Sequence, residues 1–166
     1  MKLIVFSDSH GERRYISRAL LSHPDADAVF FLGDGLSDME ECSLGESRPW
    51  LFVRGNCDIY GSVRGTPAPL CDEIVLEGKR IVYTHGHAFD VKFSLDGVMS
   101  LAEERRADLV LFGHTHRPLE KYANLSHGGV YIFNPGSVSG RDGSPAYGVI
   151  TLTERGVLLS HAYPAP

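Results

Sequence analysis

Leu3-Ile4-Val5-Phe6-Ser7-Asp8-Ser9-His10 sets a pattern that the chain repeats four more times: a short apolar run that stops at side chains able to bind a metal. Val29–Leu32 runs into Gly33-Asp34, and Leu51–Val53 runs into Arg54-Gly55-Asn56-Cys57-Asp58. Ile81–Tyr83 leads to Thr84-His85-Gly86-His87, and Leu109–Phe112 leads to Gly113-His114-Thr115-His116. The runs are continuous, not alternating, which predicts strands buried on both faces. Between them, Glu12–Ser22 places Tyr15, Ile16, Ala19 and Leu20 on one helical face and is stopped by Pro24. Ser94–Arg106 does the same with Leu95, Val98, Met99, Leu101 and Ala102. Strands alternating with helices predict an α/β fold with some parallel pairing. In such sheets the carboxyl ends of the strands line the ligand crevice, so these distant residues should converge at one edge.

The remainder reads as hairpins. Glu77-Gly78-Lys79 separates Asp72–Leu76 from Arg80–Thr84, and turns are predicted around Ser126-His127-Gly128-Gly129 and Glu154-Arg155-Gly156. The last forty residues are therefore expected to be β-rich and antiparallel. Without an internal repeat or linker, residues 1–166 read as one domain with two sheets. A hydrophobic fraction of 43% excludes disordered and fibrous classes. The net charge of −5, with no run of like charges, argues against broad nucleic-acid binding. Three cysteines, an odd number without a CxxC pair, read as reduced thiols of a cytoplasmic protein. The apolar run at Met1–Phe6 is too short for a signal peptide, and no segment is long enough to span a bilayer.

Taken singly, each strand-end residue has an ordinary explanation. Asp8 can cap a helix, Gly33-Asp34 can be a turn, and Asn56 can satisfy a loop backbone. Coincidence would have to repeat at five strand ends, always with oxygen or nitrogen donors and never with Lys or Arg in the slot. Imidazole and carboxylate without thiolate suit manganese, iron, zinc or nickel better than a cysteine-rich structural zinc. The donors suffice for two divalent ions if one carboxylate bridges them. Two carboxylates and a hydroxide then leave about one net positive charge, which attracts a phosphate despite the acidic surface. Paired metals about 3.5–4 Å apart also match in-line displacement at phosphorus.

Asp8-Ser9-His10, Gly33-Asp34, Gly55-Asn56-Cys57-Asp58, His85-Gly86-His87 and Gly113-His114-Thr115-His116 resemble, in order and spacing, the motifs of the calcineurin-like metallophosphoesterases. The short chain and Asn134-Pro135-Gly136-Ser137 resemble the small YfcE-type phosphodiesterase branch. The resemblance implies a four-layer α/β/β/α sandwich of two mixed sheets. It also implies a metal-dependent phosphodiesterase with a dinuclear site, Mn2+ first among the candidate ions and Ni2+, Zn2+ or Fe2+ as alternatives. Asp8, His10, Asp34 and His116 would hold one ion; Asp34 would bridge to the second, held also by Asn56, His85 and His114. A metal-bridging hydroxide would be the nucleophile, acting on a small phosphodiester, and a homodimer or homotetramer is implied.

Many relatives have His after the Asn, thought to assist the leaving group; here the residue is Cys57. Either esters with good leaving groups react best, or His87 or a metal-bound water takes over, or Cys57 simply packs under its loop. Asp58 either orients a ligand through a hydrogen bond or caps the turn. His87 either touches substrate or is a loop histidine, and Arg141 either meets phosphate or is solvated. His23, His127 and His161 lie outside the motifs and read as bystanders. The loops Ile59–Leu70 and Ala88–Phe93 are the places to look for specificity. Two rivals remain. One is a protein-interaction scaffold of the same fold, as in the retromer subunit, although every expected donor is present. The other is an amidohydrolase, which usually carries His-x-His on its first strand and not its last.

Overall fold

Residues 1–164 are described by a computed structural model, and among them the chain forms twelve strands and three α-helices. In order the strands are β1 (Lys2–Phe6), β2 (Ala28–Phe31), β3 (Trp50–Phe52), β4 (Ser62–Val63), β5 (Thr66–Pro67) and β6 (Cys71–Leu76). They continue as β7 (Lys79–Thr84), β8 (Leu109–Leu111), β9 (Leu119–Leu125), β10 (Gly128–Asn134), β11 (Tyr147–Thr153) and β12 (Gly156–Ala162). The helices are α1 (Arg13–Ser22), α2 (Leu36–Cys42) and α3 (Asp96–Arg105).

One sheet has the order β12-β11-β1-β2-β3 and the other β6-β7-β8-β10-β9. Both are mixed. β1, β2 and β3 run parallel, as do β7, β8 and β10, and antiparallel strands complete each sheet. Side chains alternate across a strand, and this sorts each apolar run into two cores. Leu3, Val5, Phe30 and Leu32 meet Ile81, Tyr83, Leu109, Leu111 and Phe133 between the sheets. The alternate residues Ile4, Phe6, Val29 and Phe31 share a core with Ile16, Ala19 and Leu20 of α1 and Leu36 and Met39 of α2. Val82, Val110 and Ile132 pack with Val98, Leu101 and Ala102 of α3. The result is the expected four-layer α/β/β/α sandwich, because a strand flanked by two layers must be apolar on both faces.

The three hairpins form as the turn residues predicted, with Glu77-Gly78, Ser126-His127 and Glu154-Arg155 as two-residue connections. Three features differ from the sequence reading. β3 lies at a sheet edge and is only half-buried, so the two-sided burial expected of all five runs fails there. The segment after Asp34 turns at once into α2, which the sequence reading left unassigned. The loop 59–70 contains the short β4–β5 ladder. Cys42, Cys57 and Cys71 are free thiols, and no helix among the described residues is long and apolar enough to cross a membrane.

Candidate metal centre

Both sets of parallel strands end at the same side of the sandwich, and the loops that follow β1, β2, β7 and β8 meet there. Asp8, His10 and His116 offer ligand atoms within 4.8 Å of one another. Asp34, His85 and His114 form a second group of this kind, and Asp34 also joins a third with His10 and Cys57. Asp34 thus stands within reach of both halves, as a bridging carboxylate must. Within the first group, Asp8 Oδ1 lies 3.2 Å from His116 Nε2 and 3.9 Å from His10 Nε2. Within the second, His85 Nε2 is 3.4 Å from Asp34 Oδ2 and 3.1 Å from His114 Nδ1. Asn56 sits on the exposed turn beside Cys57, its amide 3.4 Å from Cys57 Sγ. The Cys57 N–H donates to Asp34 Oδ1 at 2.7 Å, which ties this turn to the second group.

The backbone is bent to deliver these side chains. Asp8, His10, Asp34, His114 and His116 all have φ between 45° and 65°, a left-handed conformation that costs non-glycine residues free energy. Such strain persists only where surroundings over-determine it. Two glycines allow the loops to close on one another. A Cβ on Gly55 would lie 2.0 Å from Asp34 Oδ1, and one on Gly113 would lie 1.9 Å from Ser7 Oγ and 2.9 Å from Asp8 Oδ2.

Carboxylates outside the ligand set fix the loops. Asp58 accepts four backbone N–H groups, from Asp34 (2.8 Å), Gly35 (2.9 Å), Leu36 (2.9 Å) and Gly55 (2.7 Å). Asp58 thereby holds the Asp34 backbone and satisfies the bare N-terminus of α2, and each of its oxygens accepts two backbone N–H groups. Asp38 of α2 accepts from Ser9 Oγ (2.6 Å) and Gly11 N (2.7 Å), steadying the loop around His10. Asn134 donates to Gly113 O (2.9 Å) and Thr115 Oγ1 (3.0 Å), and Ser137 Oγ donates to Asp8 O (2.8 Å). Asp142 pairs with His116 Nδ1, an orienting contact typical of metal-bound histidines. Asp38 and Asp142 escaped the sequence reading, since neither stands in a strand-end motif. The Arg141 guanidinium donates to the His10 carbonyl and so anchors this loop.

The electrostatics fit cations. Asp8 Oδ1 is buried with no hydrogen-bond partner, although it faces three imidazoles. A buried carboxylate oxygen left this way is costly unless a cation faces it. Protons take up that role in the metal-free protein. The Asp8 carboxylate, 3.2 Å from its Nε2, lifts His116 to about 9 against the opposing effect of burial. His85 is lowered by burial but raised more by its bond to Asp34 and the charge of Asp8. Burial likewise raises Asp34, yet the His85 contacts hold its carboxyl well below the usual range. His114 is pushed down to about 4 by burial and then by the charge of His85, so it offers a neutral ring. His85 Nδ1 donates to Leu32 O at 2.7 Å, which turns Nε2 toward the cluster. The donor set fits divalent ions held by carboxylate and imidazole.

His87 and Cys57 stand beside the cluster. The His87 ring centroid is 5.3 Å from that of His85 and 6.1 Å from that of His114. Burial, then the charge of His85, lowers its pKa, and its Nδ1 is buried without a partner. Burial and then Asp34 push the Cys57 thiol up to about 11. The three histidines outside the motifs serve the scaffold: His23 bonds Tyr147 Oη (3.0 Å), His127 bonds Ala107 O (3.0 Å) and His161 bonds Asn134 O (2.8 Å).

This arrangement has relatives. YfcE, a phosphodiesterase of Escherichia coli (strain K12), is 30% identical over 171 residues, covering 90% of this chain and 87% of that protein. A Streptococcus pneumoniae TIGR4 protein described as a predicted phosphoesterase superposes with a TM-score of 0.78 at 27% identity, over 98% of this chain and 89% of that one. Vacuolar protein sorting-associated protein 29 of Schizosaccharomyces pombe is 36% identical over 89 residues, 54% of this chain and 43% of that protein. The model of the calcineurin-like phosphoesterase superfamily domain matches residues 1–155, and the chain belongs to that family.

Proposed function

We propose that the chain is a metal-dependent phosphodiesterase with a dinuclear centre. One observation carries this reading: candidate ligands from four strand ends form two groups, Asp8, His10 and His116 beside Asp34, His85 and His114, and Asp34 also comes within reach of His10 of the first, around a buried Asp8 oxygen with no hydrogen-bond partner. Asp8, His10, Asp34 and His116 would hold one ion, and Asp34, Asn56, His85 and His114 the other, with Mn2+ the first candidate. When bound, the pair would supply Lewis-acid polarisation of the phosphoryl oxygens and a water acidic enough to attack at neutral pH. The chain's own residues orient the centre. Asp58, Asp38 and Asn134 hold the ligand loops in place. His87 stands beside the second group, its ring centroid 5.3 Å from that of His85, and would touch substrate there. Cys57 keeps its proton, with a thiol pKa of about 11, and is a weak acid for a leaving alkoxide.

The test is hydrolysis of bis-p-nitrophenyl phosphate beside p-nitrophenyl phosphate by metal-stripped protein, with manganese, nickel, zinc or magnesium added back. Metal-restored cleavage of the diester, abolished by Asp34→Asn, supports the reading. Bound metal and an intact fold without turnover would favour a non-catalytic interaction module instead.

A further inference from the structure

Two clefts that share no lining residue adjoin the metal centre. The larger, about 610 Å³, starts at Thr115, between His114 and His116, and has buried Phe112 and Val91 in its lining. Lys92 and Arg117 line it with exposed cationic side chains, and Phe93, 90% exposed, stands beside them. Phe93 is held there: its N–H donates to Asp90 O at 2.9 Å, on a turn anchored by buried Val91. The smaller cleft, about 380 Å³, starts at Cys57 and is lined by Ile59 and Tyr60, 90% and 92% exposed. Its lining holds Glu40 and Asp58 and, among the described residues, no Lys or Arg.

A phosphodiester has two arms, and the two clefts differ in lining: Lys92 and Arg117 line the larger, Glu40 and Asp58 the smaller, which has the Arg54 guanidinium against Gly61 at its wall. The bound metals would take the scissile phosphate, which leaves Lys92 and Arg117 free to meet another anionic group. On a chain of net charge −5, two cations lining one cleft suit a second anion. The exposed Phe93 ring beside them offers a stacking face that any nucleobase can use. Building on the phosphodiesterase reading above, we propose that the substrate is a dinucleotide-type diester with an additional phosphate on one arm. That arm lies in the larger cleft, its base against Phe93 and its extra phosphate on Lys92 and Arg117. The neutral nucleoside arm lies along Ile59 and Tyr60. Hydrolysis breaks one P–O ester bond, adds the oxygen of water to phosphorus, and delivers a proton to the departing hydroxyl.

The experiment compares a 5′-phosphorylated deoxydinucleotide with the same dinucleotide lacking that phosphate, and both with bis-p-nitrophenyl phosphate, using the Mn2+-loaded enzyme. The phosphorylated substrate is expected to show a kcat/KM about tenfold higher, through KM, as two partly exposed ion pairs provide. In Lys92→Ala/Arg117→Ala that preference should fall to about twofold or less. Phe93→Ala should raise KM for both dinucleotides relative to bis-p-nitrophenyl phosphate. Equal kcat/KM for the two dinucleotides, or a preference that survives removal of both cations, overturns the proposal while cleavage of bis-p-nitrophenyl phosphate leaves the phosphodiesterase reading standing. Failure to cleave any of the three overturns both.

Discussion

Replacing Asp58 by Asn tests whether a residue with no place in the ligand set holds the centre together. Oδ2 accepts from Asp34 N and Gly55 N, and Oδ1 from Gly35 N and Leu36 N. Whichever oxygen becomes the amide, two N–H groups then face an NH2 group and lose their acceptor. Hydrogen bonds to a charged acceptor contribute roughly 1.5–3 kcal/mol each, so losing two costs about 3 kcal/mol at the lower bound. Loss of the charge at the N-terminus of α2 adds a further 0.3–1 kcal/mol or so. This is a large share of the roughly 5–15 kcal/mol that holds such a domain together. The assay is urea unfolding of metal-stripped protein followed by circular dichroism, stripped because bound metal would add its own stabilisation. The midpoint should fall with the m-value unchanged, equivalent to a Tm lowered by about 6–12 °C. A loss below about 1 kcal/mol would refute the four-bond account of Asp58.

Other outcomes follow from the same geometry. Gly113→Ala puts a Cβ against Ser7 and Asp8, and Ser7 Cβ, 2.9 Å away, blocks escape by rotation of the hydroxyl. A displaced Asp8 should cut kcat/KM for the diester by about 10²-fold with the circular dichroism spectrum retained. In the metal-free protein the raised pKa of His116 stabilises the fold fully below its ordinary value, and that contribution fades as pH rises toward about 9. His85 acts in the same sense and depressed His114 only below about 6.5, so the urea midpoint should fall between pH 6.5 and 9 while Mn2+ affinity, freed from proton competition, rises. With Cys57 neutral, the diesterase rate should drop steeply as the leaving-group pKa rises; a flat dependence across aryl and alkyl esters would show that another group supplies the proton.

The strand-end ligands were legible because their signal is local: five apolar runs, each closed by a donor that has no business in a core. The continuous runs signalled strands buried on both faces, since alternate residues such as Ile4 and Val5 serve different cores, while the four-layer order came from the family resemblance. What stayed hidden is tertiary. α2 is only seven residues long, and its N-terminus is satisfied by Asp58, more than twenty residues away, so no capping signal precedes it. Asp142 reads as one more polar residue in a glycine-rich loop until folding sets it against His116. Likewise, the half-burial of β3 depends on its being an edge strand, which its own sequence does not encode.

The account rests on a centre that takes two ions through a shared Asp34, and metal stoichiometry tests this most directly. Metal-stripped protein is titrated with Mn2+ by isothermal calorimetry, and the loaded protein is checked by elemental mass spectrometry, beside Asp34→Asn. The account predicts two ions per chain in the wild type and loss of at least one in the variant. A single ion, or two ions held equally well without the Asp34 carboxylate, would contradict it.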